Sequence, residues 1–277
     1  VPERTLAGKL ICLKICKTCL MLWLQGRPAM SFFIPDWPAP DNVRSAITLR
    51  TGGCSKAPFN ENNIALHVGD TKADVLANRD ALKTMLNLPK TPVWLDQVHG
   101  TEVIYAPDAR GATSADGSYS DQARVACAVM SADCLPVLLC DHSGTQVAAV
   151  HAGWRGLASG ILRKTVSQFS ATKNILVYLG PAIGHQAFEV GVDVRDAFLS
   201  NAQNRVQQDA IKNAFTRSKA KYLADIYALA RAELAACGVS AVYGGEFCTV
   251  NDSERFFSYR RDGETGRNAS LIWFDGV

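Results

Sequence analysis

His99, Cys134 and His151 are the residues of this chain whose types could do chemistry together. Each stands at the edge of an apolar, strand-like run: "PVWLDQVHG" closes on His99, Cys134 precedes Leu135–Cys140, and His151 follows Gln146–Val150. Strand ends are rigid, so side chains from several strands can converge there. Two imidazoles and a thiolate suit Zn²⁺ in charge and softness. Three protein ligands leave a fourth coordination position open, the arrangement of a catalytic rather than a structural zinc. The spacings of 35 and 17 residues are too long for a zinc finger, so the fold must assemble such a site.

The residue types leave alternatives open. A lone strand-end histidine more often satisfies a hydrogen bond than binds a metal, and a lone cysteine is more often a small buried hydrophobe. Cys134 as nucleophile with His151 as base, and a third group orienting the imidazole, would make a cysteine hydrolase. Arg50 precedes a Gly-Gly turn, and Arg155 lies in "HAGWRG" where a helix is expected to start. Both are candidates for holding an anionic oxygen ligand such as phosphate. His67 in "NIALHVGD" and Gln97 in "DQVHG" are polar groups in apolar stretches, placed to contact a ligand or to satisfy buried backbone.

The elements that must position these residues alternate between strand-like and helix-like. Strands are expected at 42–50, 92–100, 101–106, 124–130, 135–140, 146–150, 174–180, 239–244 and 269–274. Helices are expected from Thr71 or Asp70 to Leu88, from Gly153 to Phe169, over 193–200 and over 221–237. Pro107–Gln122 and the stretch around Arg255–Arg267 read as polar loops. The total is mixed α/β without a regular βαβ repeat.

Of the 277 residues, 48% are hydrophobic and 20% charged, ordinary values for a globular chain. No Gly/Ser-rich or Pro-rich linker divides it, so one domain is expected over 30–277. A net charge of +3 gives no strong pull toward nucleic acid. Nine cysteines, an odd number with several inside apolar runs, read as reduced thiols rather than a disulfide framework, which points to the cytoplasm. The opening "KLICLKICKTCLMLWLQGR" is cationic and apolar. Lys14 and Lys17 interrupt it, no small-x-small cleavage site follows, and it is too short to span a bilayer. Residues 1–29 are therefore expected to be an extension outside the fold, with Met30 as the start.

Taken in order, "IPDWPAPDNV", "TLRTGGCS", "LHVGD", "WLDQVHGTEV", "MSADCLPVLLCD", "AAVHAGWRGL", "GPAIGHQAFEVG" and "ERFFSYRRDGETGR" cover nearly the whole chain after Met30. Their combination resembles the multicopper polyphenol oxidase-like, or laccase-domain, proteins, regarded as purine nucleoside phosphorylases with adenosine deaminase activity. The resemblance implies a single α/β domain with mixed β-sheets packed between helices. It places the metal-binding and catalytic trio on His99, Cys134 and His151, with Zn²⁺ as cofactor and Cu²⁺ as the alternative. The implied substrates are purine nucleosides (adenosine, inosine, methylthioadenosine) and phosphate, with Arg50, His67, Gln97 and Arg155 on the substrate side. No nucleic-acid or membrane partner is implied. A cysteine-dependent amidohydrolase acting on a cell-wall precursor and a phenol oxidase are the other readings. Five dispersed histidines are too few to hold several coppers, which argues against the latter.

Overall fold

A computed structural model describes residues 31–88, 90–111 and 113–276. The expectations for residues 1–29 and for Met30 lie outside the described residues.

Two sheets stack face to face. The first has the order β1 (Phe32–Phe33), β2 (Val43–Thr48), β15 (Asn268–Phe274), β7 (Cys127–Ser131), all antiparallel. The second has six strands in the order β14 (Ala241–Gly244), β10 (Ile175–Leu179), β8 (Leu135–Asp141), β9 (Val147–Ala152), β6 (Gly117–Ser120), β4 (Val103–Tyr105). Its central pairs are antiparallel and its two outermost pairs parallel.

Period-two alternation explains the layering. On β8, Leu138 and Cys140 face the first sheet with Val147 and Ala149 of β9 and Leu176 and Tyr178 of β10; they meet Ile47 and Ile272. The residues between them, Val137, Leu139, Ala148, Val150, Ile175 and Val177, point the other way. They pack on α2 (Trp154–Ala158), α3 (Ile161–Val166) and α6 (Ile226–Ala236). Both faces of the central strands are covered, so they read as continuous apolar runs. The outer face of the first sheet, with Ala46, Ala128 and Leu271, is closed by Leu82 of α1 (Lys72–Met85). The architecture is α/β, with mixed sheets packed between helices. Among the described residues, no helix is long and apolar enough to cross a membrane.

Several expected elements differ. The expected strand through His99 shrinks to β3 (Leu95–Asp96), paired in parallel with β5 (Thr113–Ser114); residues 97–100 leave it as a turn. The expected loop 107–122 contains β6, an interior strand. Its composition hides it, because a Cβ on Gly117 would already lie 3.2 Å from Val103 Cγ2, so small residues are what fits. The expected helix 153–169 is two short helices, broken where Gly160 takes φ +89°. The expected helix 221–237 opens as β13 (Lys221–Ala224). This strand lies between β11 (Glu189–Val190) and β12 (Phe215–Ser218). The helix begins only after Asp225, whose Oδ1 accepts from the amides of Tyr227 and Ala228, both at 3.0 Å. α4 (Val192–Ser200) falls where expected, and α5 (Arg205–Asn213) was not anticipated. The polar stretch 255–267 carries the short α7 (Tyr259–Asp262).

Candidate active site

Cys134 stands immediately before β8. His151 lies within β9, opposite Pro136, and not after the strand. By alternation the His151 side chain takes the same face as Val147 and Ala149, where it is buried. His99 arrives from the turn after β3, with a left-handed φ of +61°. That conformation is costly for a histidine and needs outside support.

Asp116, just before β6, supplies it. The carboxylate is fully buried and accepts from three consecutive backbone amides: Val98 at 3.2 Å, His99 at 2.9 Å and Gly100 at 2.6 Å. It also accepts from His151 Nδ1 at 2.8 Å. One side chain thus fixes both the His99 backbone and the His151 ring. With Nδ1 turned to Asp116, the other His151 nitrogen is left for a ligand. Burial works against the Asp116 charge, but the bonds from His151 and from the Gly100 and His99 amides outweigh it and hold the carboxyl below its ordinary value.

The ligating atoms of His99, Cys134 and His151 lie within 4.8 Å of one another. Cys134 Sγ is 3.7 Å from His99 Nε2, and the two imidazoles meet edge to face with ring centres 4.8 Å apart. Burial opposes charge on Cys134 and on His151. The charge of His151 and bonds from both imidazoles nevertheless hold the Cys134 thiol below its ordinary value. The thiolate and Asp116 in turn hold the His151 imidazole above its own. A cation between the three would take the place of that proton.

The glycines of "HAGWRG" keep the cradle open. A Cβ on Gly153 would sit 2.9 Å from His99 Cδ2, 3.2 Å from Cys134 Sγ and 3.6 Å from His151 Cε1. A Cβ on Gly156 would meet the Gly100 carbonyl at 2.5 Å, so α2 rests directly on the turn that carries His99. Donor set, spacing and cradle all fit one metal ion. Among the described residues, which include all five histidines, this is the one group of three or more such side chains able to hold a metal. A multi-copper centre does not fit it.

The trio opens into a cavity of ≈ 410 Å³, within the size range of small-molecule sites. His67, Gln97 and Arg155 line it too, so six of the seven residues singled out in the sequence meet in one place. Arg50 does not line it. Its guanidinium donates to the Ser253 carbonyl at 3.0 Å, pairs with Asp262 at 3.8 Å and lies over the Phe257 ring. Gln97 lines the cavity with its amide already spent. Nε2 donates to the Met130 carbonyl and Oε1 accepts from the Met130 amide, both at 2.8 Å. Asp133, which also lines the cavity, is committed as well: Oδ1 accepts from Thr249 Oγ1 and Oδ2 from the Arg260 amide, each at 2.6 Å. It fixes the turn that presents Cys134.

Sequence reasoning missed Asp116, Arg260 and Arg267. The "ADG" around Asp116 reads as a turn, and the arginines sat in an apparent polar loop. Arg260 is anchored on the carbonyls of Ala187 and Glu189. Arg267 is anchored on those of Thr265 and Gly266, and burial holds its guanidinium below its ordinary value. Arg155 lies over the Trp154 ring, 4.4 Å from its centre, with no carboxylate partner among the described residues. Trp154, Ile183, Phe188 and Tyr259 add an apolar, aromatic wall.

A family model described as multi-copper polyphenol oxidoreductase laccase matches residues 44–275. A protein of Pseudomonas aeruginosa named purine nucleoside phosphorylase is 50% identical over 244 residues, 88% of this chain and 98% of its own. The Escherichia coli purine nucleoside phosphorylase YfiH is 50% identical over 242 residues, 87% of this chain and 97% of its own. The crystal structure of the Neisseria meningitidis protein NMB0706 superposes with a TM-score of 0.84 at 50% identity, covering 88% of this chain and 99% of that one. The chain therefore belongs to the multi-copper polyphenol oxidoreductase laccase family.

Proposed function

We propose that this protein is a zinc-dependent purine nucleoside phosphorylase, acting on adenosine, inosine and methylthioadenosine, with adenosine deamination as a second activity of the same cavity. The observation that carries the reading is the convergence of a group able to hold a metal with three arginine side chains and an aromatic wall in one cavity. Relatives covered almost end to end carry the phosphorylase name.

Phosphorolysis displaces a purine from C1′ by phosphate through an oxocarbenium-like state, as in glycoside cleavage. The chain must hold phosphate in line, seat the base and exclude water. Arg155 and Arg267 are assigned to phosphate, since guanidinium forks match its oxygens. Trp154, Phe188 and Tyr259 offer faces for the purine. A zinc ion, when bound, supplies Lewis acidity at an open coordination position. Asp116 keeps His99 and His151 aimed at the cradle. Cys127, Cys134, Cys140, Cys237 and Cys248 form no disulfide among the described residues, in keeping with the reduced cytoplasm, where we place the reaction.

Product analysis tests this reading. Adenosine with phosphate is expected to give adenine and ribose 1-phosphate, and the deaminase activity inosine. Arg155→Ala and Arg267→Ala are each expected to raise the KM for phosphate by about tenfold or more, and that for nucleoside less, because a charge-assisted contact is worth about 1.5–3 kcal/mol. Arg50→Ala is expected to leave both unchanged.

One observation favours a second reading. His151 links Cys134 to Asp116 much as in a Cys-His-Asp hydrolase. His99, brought to 3.7 Å from the same sulfur, has no role in that reading.

A further inference from the structure

Breaking the bond between C1′ and N9 leaves electrons on the purine, which departs poorly unless it is protonated. The cavity holds few groups that could deliver that proton. His99, Cys134 and His151 are assigned to the metal. Asp133 is the cavity's one carboxylate, and both its oxygens are taken. The Gln97 amide is taken, and the arginines do not release protons. Phenols are ordinarily too weak as acids to serve at neutral pH. His67 remains.

Its setting is built rather than incidental. The buried amide of Asn63 ties the loop carrying His67 to the segment carrying Arg267. Asn63 Oδ1 accepts from the Ala65 and Arg267 amides, both at 3.0 Å, and Nδ2 donates to the Ala65 carbonyl and to Asp70 Oδ2. The Ile64 amide adds a bond to the Arg267 carbonyl at 3.3 Å. His67 and Arg267 are thus presented to the cavity on one hydrogen-bonded frame. The His67 ring itself has no hydrogen-bond partner among the described residues.

We propose that His67 is the catalytic acid that protonates the departing purine. This rests on the phosphorylase reading. The C1′–N9 bond breaks with its electron pair going to the purine, and a phosphate oxygen forms the new bond to C1′. The purine gains one proton, at N7, from the His67 imidazolium. Hydrogen phosphate loses one proton on becoming the ribose 1-phosphate dianion, and that proton recharges the imidazole. Charge and atoms balance without a further reactant. Burial first, and then the charge of Arg267, hold free His67 below its ordinary value; Arg79 and His151 act in the same direction and Asp96 against it. A phosphate seated on Arg267 cancels the largest of these charges and so favours the imidazolium when both substrates are present.

The test compares inosine with 7-methylinosine, whose base already carries the positive charge and departs neutral without a proton. In His67→Gln, phosphorolysis of inosine is expected to fall on the order of 10²-fold or more, and that of 7-methylinosine less than about tenfold. The fall of kcat with rising pH in the unaltered enzyme should also be lost in the variant. Metal content should not change. Equal losses on both nucleosides, or an unaltered pH profile in the variant, would overturn the proposal. If the unaltered enzyme turned over neither nucleoside in a phosphate-dependent way, the phosphorylase reading itself would fall, and the proposal with it.

Discussion

Asp116→Ala is expected to lose metal and stability together. The substitution removes a buried acceptor and leaves three backbone amides and the His151 ring N–H without a partner. An orphaned buried donor costs about 1–3 kcal/mol, and relaxation recovers part of the sum, so a loss on the order of 3–5 kcal/mol is expected. For a chain of this size that is roughly a 10 °C fall in Tm. The left-handed turn at His99 also loses its support, and His151 loses the bond that fixes its tautomer. Asp116→Asn keeps the shape but aims an amide N–H at donors that need an acceptor. It is expected to hold zinc about 10- to 100-fold more weakly with a smaller fall in Tm. Calorimetry and metal analysis of both variants check this. Unchanged zinc content in either would remove Asp116 from the account of the site.

Gly153→Ala is expected to separate the metal cradle from the fold. Gly153 has φ −60° and ψ 154°, which alanine adopts without strain. What excludes a methyl group is the crowd it would meet: the His99 ring at 2.9 Å and the Cys134 sulfur at 3.2 Å. His99 is the exposed member of the trio and the one able to swing away. Its displacement takes Nε2 from the ligand position without disturbing the core. The expected result is zinc affinity at least about tenfold lower, activity lost with it, and a Tm of the metal-free protein within a few degrees of the unaltered chain. Retained zinc and activity would show that the cradle has more room than these contacts allow.

The grouping of His99, Cys134 and His151, which could hold a metal ion, was legible in the sequence because apolar runs flank these residues and the side chains are rare types. The runs around Cys134 and His151 are continuous, since both faces of β8 and β9 are covered, and such runs stand out. Asp116 was not legible. It precedes a strand of Gly, Ser and Tyr whose small residues are set by the close approach of Val103, and that composition reads as a loop. Arg260 and Arg267 were hidden for a related reason. They enter the cavity because Asp133 and Asn63 capture their backbone amides from more than 100 residues away, and no local pattern records such a bond. Arg50 differs in place. Its position beside a Gly-Gly turn suggested a ligand, but it does not line the cavity, and its guanidinium meets the Ser253 carbonyl and Asp262.

The central claim is that His99, Cys134 and His151 work as metal ligands and not as a nucleophile with its base. It is tested most directly by stripping the metal and following adenosine turnover with phosphate, with the intact mass of the protein monitored during the reaction. The account predicts that chelation abolishes formation of adenine and ribose 1-phosphate, that stoichiometric zinc restores it, and that no covalent adduct forms on Cys134. Metal-free protein working at full rate, with an adduct on Cys134, would contradict it and make Cys134, His151 and Asp116 the machinery of a hydrolase.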